Sequence, residues 1–144
     1  LLMILLKEYW KVQPNLIRIK IKNKALLQKK STALVIGDKA FSLKDKYKYV
    51  YDLSSIWKKL TGLPFVFALW VTNKNLDNKF LSQFNLALSF GVKNIQEAIS
   101  FFDYKFNYKA NLEEYLNNRI SYDLDVDKKK SLKYFLEKLR VNGF

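Results

Sequence analysis

Apolar and polar positions follow three successive rhythms along this chain. Residues 1–13 are rich in Leu, Ile, Met and aromatic side chains and read as a helix ended by the Pro14-Asn15 turn. From Leu16 to Lys22 the pattern alternates, with Ile17, Ile19 and Ile21 on one side and Arg18, Lys20 and Lys22 on the other. That predicts a strand with one wet face. Residues 24–30 fit a short helix. Ala33-Leu34-Val35-Ile36, closed by Gly37-Asp38, reads as a buried strand ending at a turn, and Tyr49-Val50-Tyr51 as a short strand before Asp52. Ser54 to Leu60 reads as one or two helical turns, with Ser54 or Ser55 as the cap.

Thr61-Gly62-Leu63-Pro64 then punctuates the chain, and Phe65 to Val71 is apolar without a break, as in a strand covered on both faces. Helical spacing dominates the rest. Leu76, Phe80, Phe84 and Leu88 recur every four residues up to a stop at Gly91, and Ile95, Ala98, Ile99 and Phe102 form a second stripe. Asn111 and Glu114 make a variant capping box ahead of Leu112, Tyr115 and Leu116. Leu132, Phe135, Leu136 and Leu139 mark a last amphipathic helix before Gly143. Strands interleaved with helices, followed by a helical tail, predict an α/β fold. Phe80, Phe84, Phe102 and Phe135, at helical spacing, are expected in the core.

Composition narrows the chemistry. The 144 residues include no Cys and no His, which excludes disulfides, a thiolate nucleophile, Cys/His zinc sites and an imidazole base. Lys and Arg total 26 against 13 Asp and Glu, a formal charge of +13. That excess invites a nucleic-acid reading. Yet only Arg18, Arg119 and Arg140 carry the guanidinium fork suited to phosphate and guanine, and the lysines are scattered in pairs and triplets. A Lys-rich solvated surface, attractive to small anions, fits better. Leu1 to Leu6 is too short for a signal or membrane segment and runs directly into Lys7-Glu8. The protein is therefore expected to be soluble and cytoplasmic, without a membrane or nucleic-acid partner. A start inside a helix without a cap reads as a fragment, and a core strand short of neighbours predicts poor solubility.

Candidate site residues follow from the punctuation. Asp38 stands at the carboxyl end of an expected strand, where ligands collect in open α/β sheets, or simply caps its turn. Asp52 has the same two readings. Thr61 to Ala68 is either a loop entering a core strand or a crossover whose N–H groups face a ligand.

The ordered series Ala33-Leu34-Val35-Ile36-Gly37-Asp38-Lys39-Ala40, Tyr49-Val50-Tyr51-Asp52-Leu53, Trp57, and Thr61-Gly62-Leu63-Pro64-Phe65-Val66-Phe67-Ala68 closely resembles the chorismate dehydratase family. Phe84-Asn85, Phe90-Gly91 and Ile120-Ser121-Tyr122 fit it too. The resemblance implies a type II periplasmic-binding-protein-like fold of two α/β lobes used as an enzyme of the futalosine route to menaquinone. It implies dehydration of chorismate to 3-[(1-carboxyvinyl)oxy]benzoate with no cofactor and no metal. Family members are longer, so this chain is expected to match their later part, with an N-terminal truncation. Residues 1–60 would form most of the second lobe, and 61–144 the crossover into the first lobe plus the C-terminal helices. The substrate-binding residues implied are Gly37, Asp38, Tyr51, Asp52, Trp57, Thr61, Gly62, Leu63, Pro64 and Phe65, facing the chorismate dianion. No residue is assigned as the catalytic base, and the oligomeric state stays open. Two alternatives remain: a non-catalytic module binding an anionic metabolite, and the paralogous 1,4-dihydroxy-6-naphthoate synthase.

Overall fold

A computed structural model describes residues 1–17, 32–37, 39–43, 46–102 and 112–143. Its helices are α1 (Leu2–Glu8), α2 (Lys39–Leu43), α3 (Leu53–Thr61), α4 (Asn78–Lys93), α5 (Ile95–Phe102), α6 (Leu112–Glu114) and α7 (Val126–Val141). A π-helical turn, Tyr115–Arg119, continues α6. No described helix is long and apolar enough to cross a membrane.

The α/β expectation, and with it the type II periplasmic-binding-protein-like two-lobe architecture, is overturned. Among the described residues every regular element is helical and no strand is present. The apolar runs at 33–36, 49–51 and 65–71 are non-helical as expected, but none is paired into a ladder. The physical reason is that an apolar run supplies only half of a strand: the other half is a hydrogen-bonded neighbour, which is a non-local property. Ile36, Phe67 and Val71 instead remain 79%, 74% and 85% exposed. The alternating segment from Arg18 to Lys22 and the expected helix at 24–30 lie outside the described residues.

The chain divides into two units, Leu1–Val66 with Val126–Phe144, and Phe67–Asp125. In the first, helices from the two ends of the sequence meet. Ile4 and Leu5 of α1 pack with Ile56 and Trp57 of α3 as the buried core. Leu53, Leu60, Phe65, Phe135 and Leu139 close around them. Trp57 is fully buried, and its indole N–H donates to Ser131 Oγ at 2.9 Å, joining α3 to α7. Phe65, Tyr134 and Phe135 stand around the indole with centroids 5.6, 5.8 and 5.8 Å away. Phe135, expected in the core, is therefore at its edge.

Polar ties join α1 to α7 outside this core. Lys138 Nζ lies 3.0 Å from Glu8 Oε2, and Lys7 Nζ donates to Asn142 Oδ1 at 2.6 Å. The hydrogen bond to Glu8 raises the Lys138 ammonium above its ordinary range. Helix α1 stops well before Pro14: Lys11 takes a left-handed φ of 56°, and the Val12 N–H turns back to the Leu6 carbonyl at 2.9 Å.

In the second unit, Asp77 caps α4 by accepting the Phe80 N–H at 2.7 Å. Helix α4 runs through Gly91 to Lys93, past the stop expected at that glycine, and ends where Asn94 caps the Phe90 carbonyl. Phe80 and Phe84 stack at 6.1 Å, and Trp70 meets Phe84 edge-on at 5.5 Å. Phe80 is nonetheless 49% exposed, so the expectation of a core position fails there. The stripe spacing is real, but no described residue of α4 is buried. Asn111 of the expected capping box and the side chain of Phe102 lie outside the described residues.

Replacing Ser131 by Ala leaves the buried indole N–H without its acceptor and is expected to cost about 1–3 kcal/mol. Trp57→Phe removes that donor, so Ser131→Ala should cost much less in its presence. Chemical denaturation of the four proteins of this double-mutant cycle measures the difference.

Candidate functional site

Nine of the ten residues assigned from sequence lie in described parts of the first unit; Asp38 lies outside the described residues. Gly37 has φ +75°, a backbone region that disfavours any side chain, and its carbonyl accepts the Ala40 N–H at 2.9 Å. It thus turns the chain into α2.

The other eight are organised by α3. Tyr51 is 58% exposed, and its ring meets Trp10 edge-on at 5.7 Å. Asp52 is the N-cap of α3, extended at φ −79° and ψ 119°, rather than the Ser54 or Ser55 expected from sequence. Its Oδ1 accepts the Ser55 N–H at 2.7 Å and the Ser54 hydroxyl at 2.5 Å. Both serines are present in the cap, but as donors to the aspartate. Burial pushes the Asp52 carboxyl up, and these hydrogen bonds outweigh it, leaving the group below the usual carboxylate range.

At the other end of α3, Thr61 Oγ1 donates to the Trp57 carbonyl at 2.8 Å and accepts the Leu63 N–H at 3.1 Å. Gly62 stops the helix in the left-handed conformation, φ 74°, its N–H returning to the Lys58 carbonyl at 2.8 Å. Lys58 and Lys59 sit in that last turn, where the helix dipole favours cations. Leu63, Pro64 and Phe65 are half-buried, and Phe65 reaches the Trp57 indole.

The structure therefore gathers Asp52, Trp57 and Thr61 to Phe65 on and around one capped helix with a tryptophan on its buried face. Trp57 is sealed in the core and anchors the helix. The exposed groups of the set are Gly37, Tyr51, Asp52 and Gly62. Chemically, the ensemble offers an ionised carboxylate, a phenol, a threonine hydroxyl and backbone groups at two glycine turns.

A separate open depression of about 450 Å³ lies along α7, lined by Lys133, Leu136, Glu137 and Arg140. Of its four residues, the sequence marked Leu136 as part of an apolar stripe and Arg140 as one of three arginines, and neither as part of a site. The available signal was Lys133 and Arg140 seven residues apart, two turns along one helix face.

The comparisons with known proteins agree with the motif series. A family model described as menaquinone biosynthesis matches residues 1–140. A chorismate dehydratase of Campylobacter jejuni subsp. jejuni serotype O:23/36 (strain 81-176) is 44% identical over 64 residues, which is 42% of this chain and 28% of that relative. The matched stretch thus spans less than a third of the curated relative. No solved structure matches the chain.

Substitutions at Asp52 and Gly62 test the two ends of α3. Asn caps helices about as well as Asp, so Asp52→Asn should preserve stability at neutral pH, whereas Asp52→Ala should cost about 1 kcal/mol. A depressed carboxylate stabilises fully above its ordinary pKa, and that contribution fades as pH falls through the folded value. Denaturation midpoints followed below about pH 5 should accordingly drop less steeply for Asp52→Asn than for the parent chain. No atom lies within 4 Å of a Cβ built on Gly62, so Gly62→Ala costs backbone strain alone, about 1–2 kcal/mol, and Gly62→Asn less.

Proposed function

The chain belongs to the menaquinone-biosynthesis family, and from that premise we propose that the protein it represents is a chorismate dehydratase, a carbon–oxygen hydro-lyase. The observation that carries this reading is the family match over residues 1–140, joined by the 44% identical stretch shared with a chorismate dehydratase. The reaction removes a ring proton and the neighbouring hydroxyl as water, and the ring becomes aromatic. Such an elimination needs a proton acceptor and assistance to the departing hydroxyl.

In this reading Gly37, Asp38, Tyr51, Asp52 and the Thr61–Phe65 turn face the substrate, and Trp57 fixes the helix that carries them. Asp52 is held ionised by its serine donors, which makes it a weak base, so its part is to set the start of α3 and the direction of Tyr51 beside it. A doubly charged substrate gains from the +13 surface, which raises the local concentration of anions, and from backbone N–H donors at the turns. The elimination itself asks for no redox partner. The site of action in this reading is the cytoplasm.

Transplanting the 64-residue matched stretch of this chain into the Campylobacter enzyme tests the proposal. Chorismate consumption and product formation, followed by chromatography with mass detection, should persist within about tenfold of the parent. A folded chimera that binds chorismate and releases no product would instead favour a non-catalytic module for an anionic metabolite. A folded chimera that neither binds nor converts chorismate would reject the substrate assignment.

A further inference from the structure

Trp10 lies outside the motif series, yet it is in contact with a residue of the proposed site. It follows α1, and its half-buried side chain packs against the core of Ile4, Leu5, Ile56 and Trp57. The backbone there is pinned. The Tyr9 and Trp10 N–H groups both donate to the carbonyl of fully buried Leu5, each at 3.0 Å, and Lys11 then turns the chain with φ 56°. The indole meets the Tyr51 ring edge-on, with centroids 5.7 Å apart and an interplanar angle of 78°.

Tyr51 has little else to hold it. It is 58% exposed, Trp10 supplies its one ring contact among the described residues, and no hydrogen bond engages its hydroxyl there. Asp52 fixes the backbone beside Tyr51 by capping α3, but a cap leaves the side-chain torsions of its neighbour open. An edge-on contact restricts them, because aromatic quadrupoles attract only in certain relative orientations. We propose that Trp10 is a positioning residue for the substrate site: anchored to the core through α1, its indole sets the direction in which the Tyr51 phenol meets the ligand. The inference rests on the reading that Tyr51 faces the chorismate dianion. A phenol already held in place gives up less freedom when the ligand arrives, so Trp10 adds to affinity without touching the substrate.

Calorimetric titration with chorismate tests this on the full chain, Trp10→Leu, Tyr51→Ala and the double variant. Trp10→Leu should weaken binding about two- to tenfold in the parent background. It should change nothing once Tyr51 is Ala. Trp10→Phe, which keeps a ring at that position, should recover most of the affinity. An equal loss from Trp10→Leu in both backgrounds, or no loss in either, overturns the proposal and leaves the substrate assignment standing. A Tyr51→Ala chain that binds as tightly as the parent, or a parent that binds no chorismate, overturns the reading of Tyr51 and this inference with it. Nuclear Overhauser contacts between the Trp10 and Tyr51 rings of the parent chain need no variant. They should be present, and their absence overturns the proposal.

Discussion

The buried indole of Trp57 is the constraint on which the first unit depends. Its N–H must find an acceptor, since an orphaned polar hydrogen in an apolar core is costly, and Ser131 supplies it from 74 residues away. That bond joins α7 to α3, and Phe135 of α7 stands edge-on to the same ring. Once α7 is held, Lys138 reaches Glu8 and Lys7 reaches Asn142, so α1 is tied to the C-terminal helix as well. The aromatic shell, the Lys138–Glu8 ion pair and the Lys7–Asn142 hydrogen bond all reinforce the arrangement in which that donor is satisfied.

The residues of the motif series have structural work of their own. Asp52 opens α3, Trp57 anchors it, Thr61 braces its last turn and Gly62 ends it. A motif that first looks like a ligand-binding signature is, in its local role, a helix start, a hub and a stop. The two roles are compatible, because a ligand held by turn backbone and a phenol needs those turns fixed before it arrives. The cost of that rigidity is chemical: a carboxylate engaged by serine donors stays ionised and gives up basicity.

How much was legible follows from the range of each signal. Helical stripes and the Gly62 punctuation are local, and helices were readable at Ser54–Leu60, along Phe80 and Phe84, and from Leu132 to Leu139. Cap identity was harder, because Asp52, Ser54 and Ser55 all make good caps and only the backbone geometry separates them. Strand pairing was not legible, since Phe65–Val71 fixes apolarity but says nothing about a neighbour. The partner of Trp57 was equally hidden, as nothing local connects residue 57 to Ser131. For the candidate site, the motif series runs along α3, but nothing local in it shows that the tryptophan faces inward and that the aspartate caps.

Trp57 belongs to the core and holds α3 against α7. Exchange of the three indole N–H protons with solvent, resolved by NMR, tests it most directly. The Trp57 proton should exchange slowest, far behind that of Trp70, which is 78% exposed. A Trp57 indole exchanging as fast as that of Trp70 would contradict it.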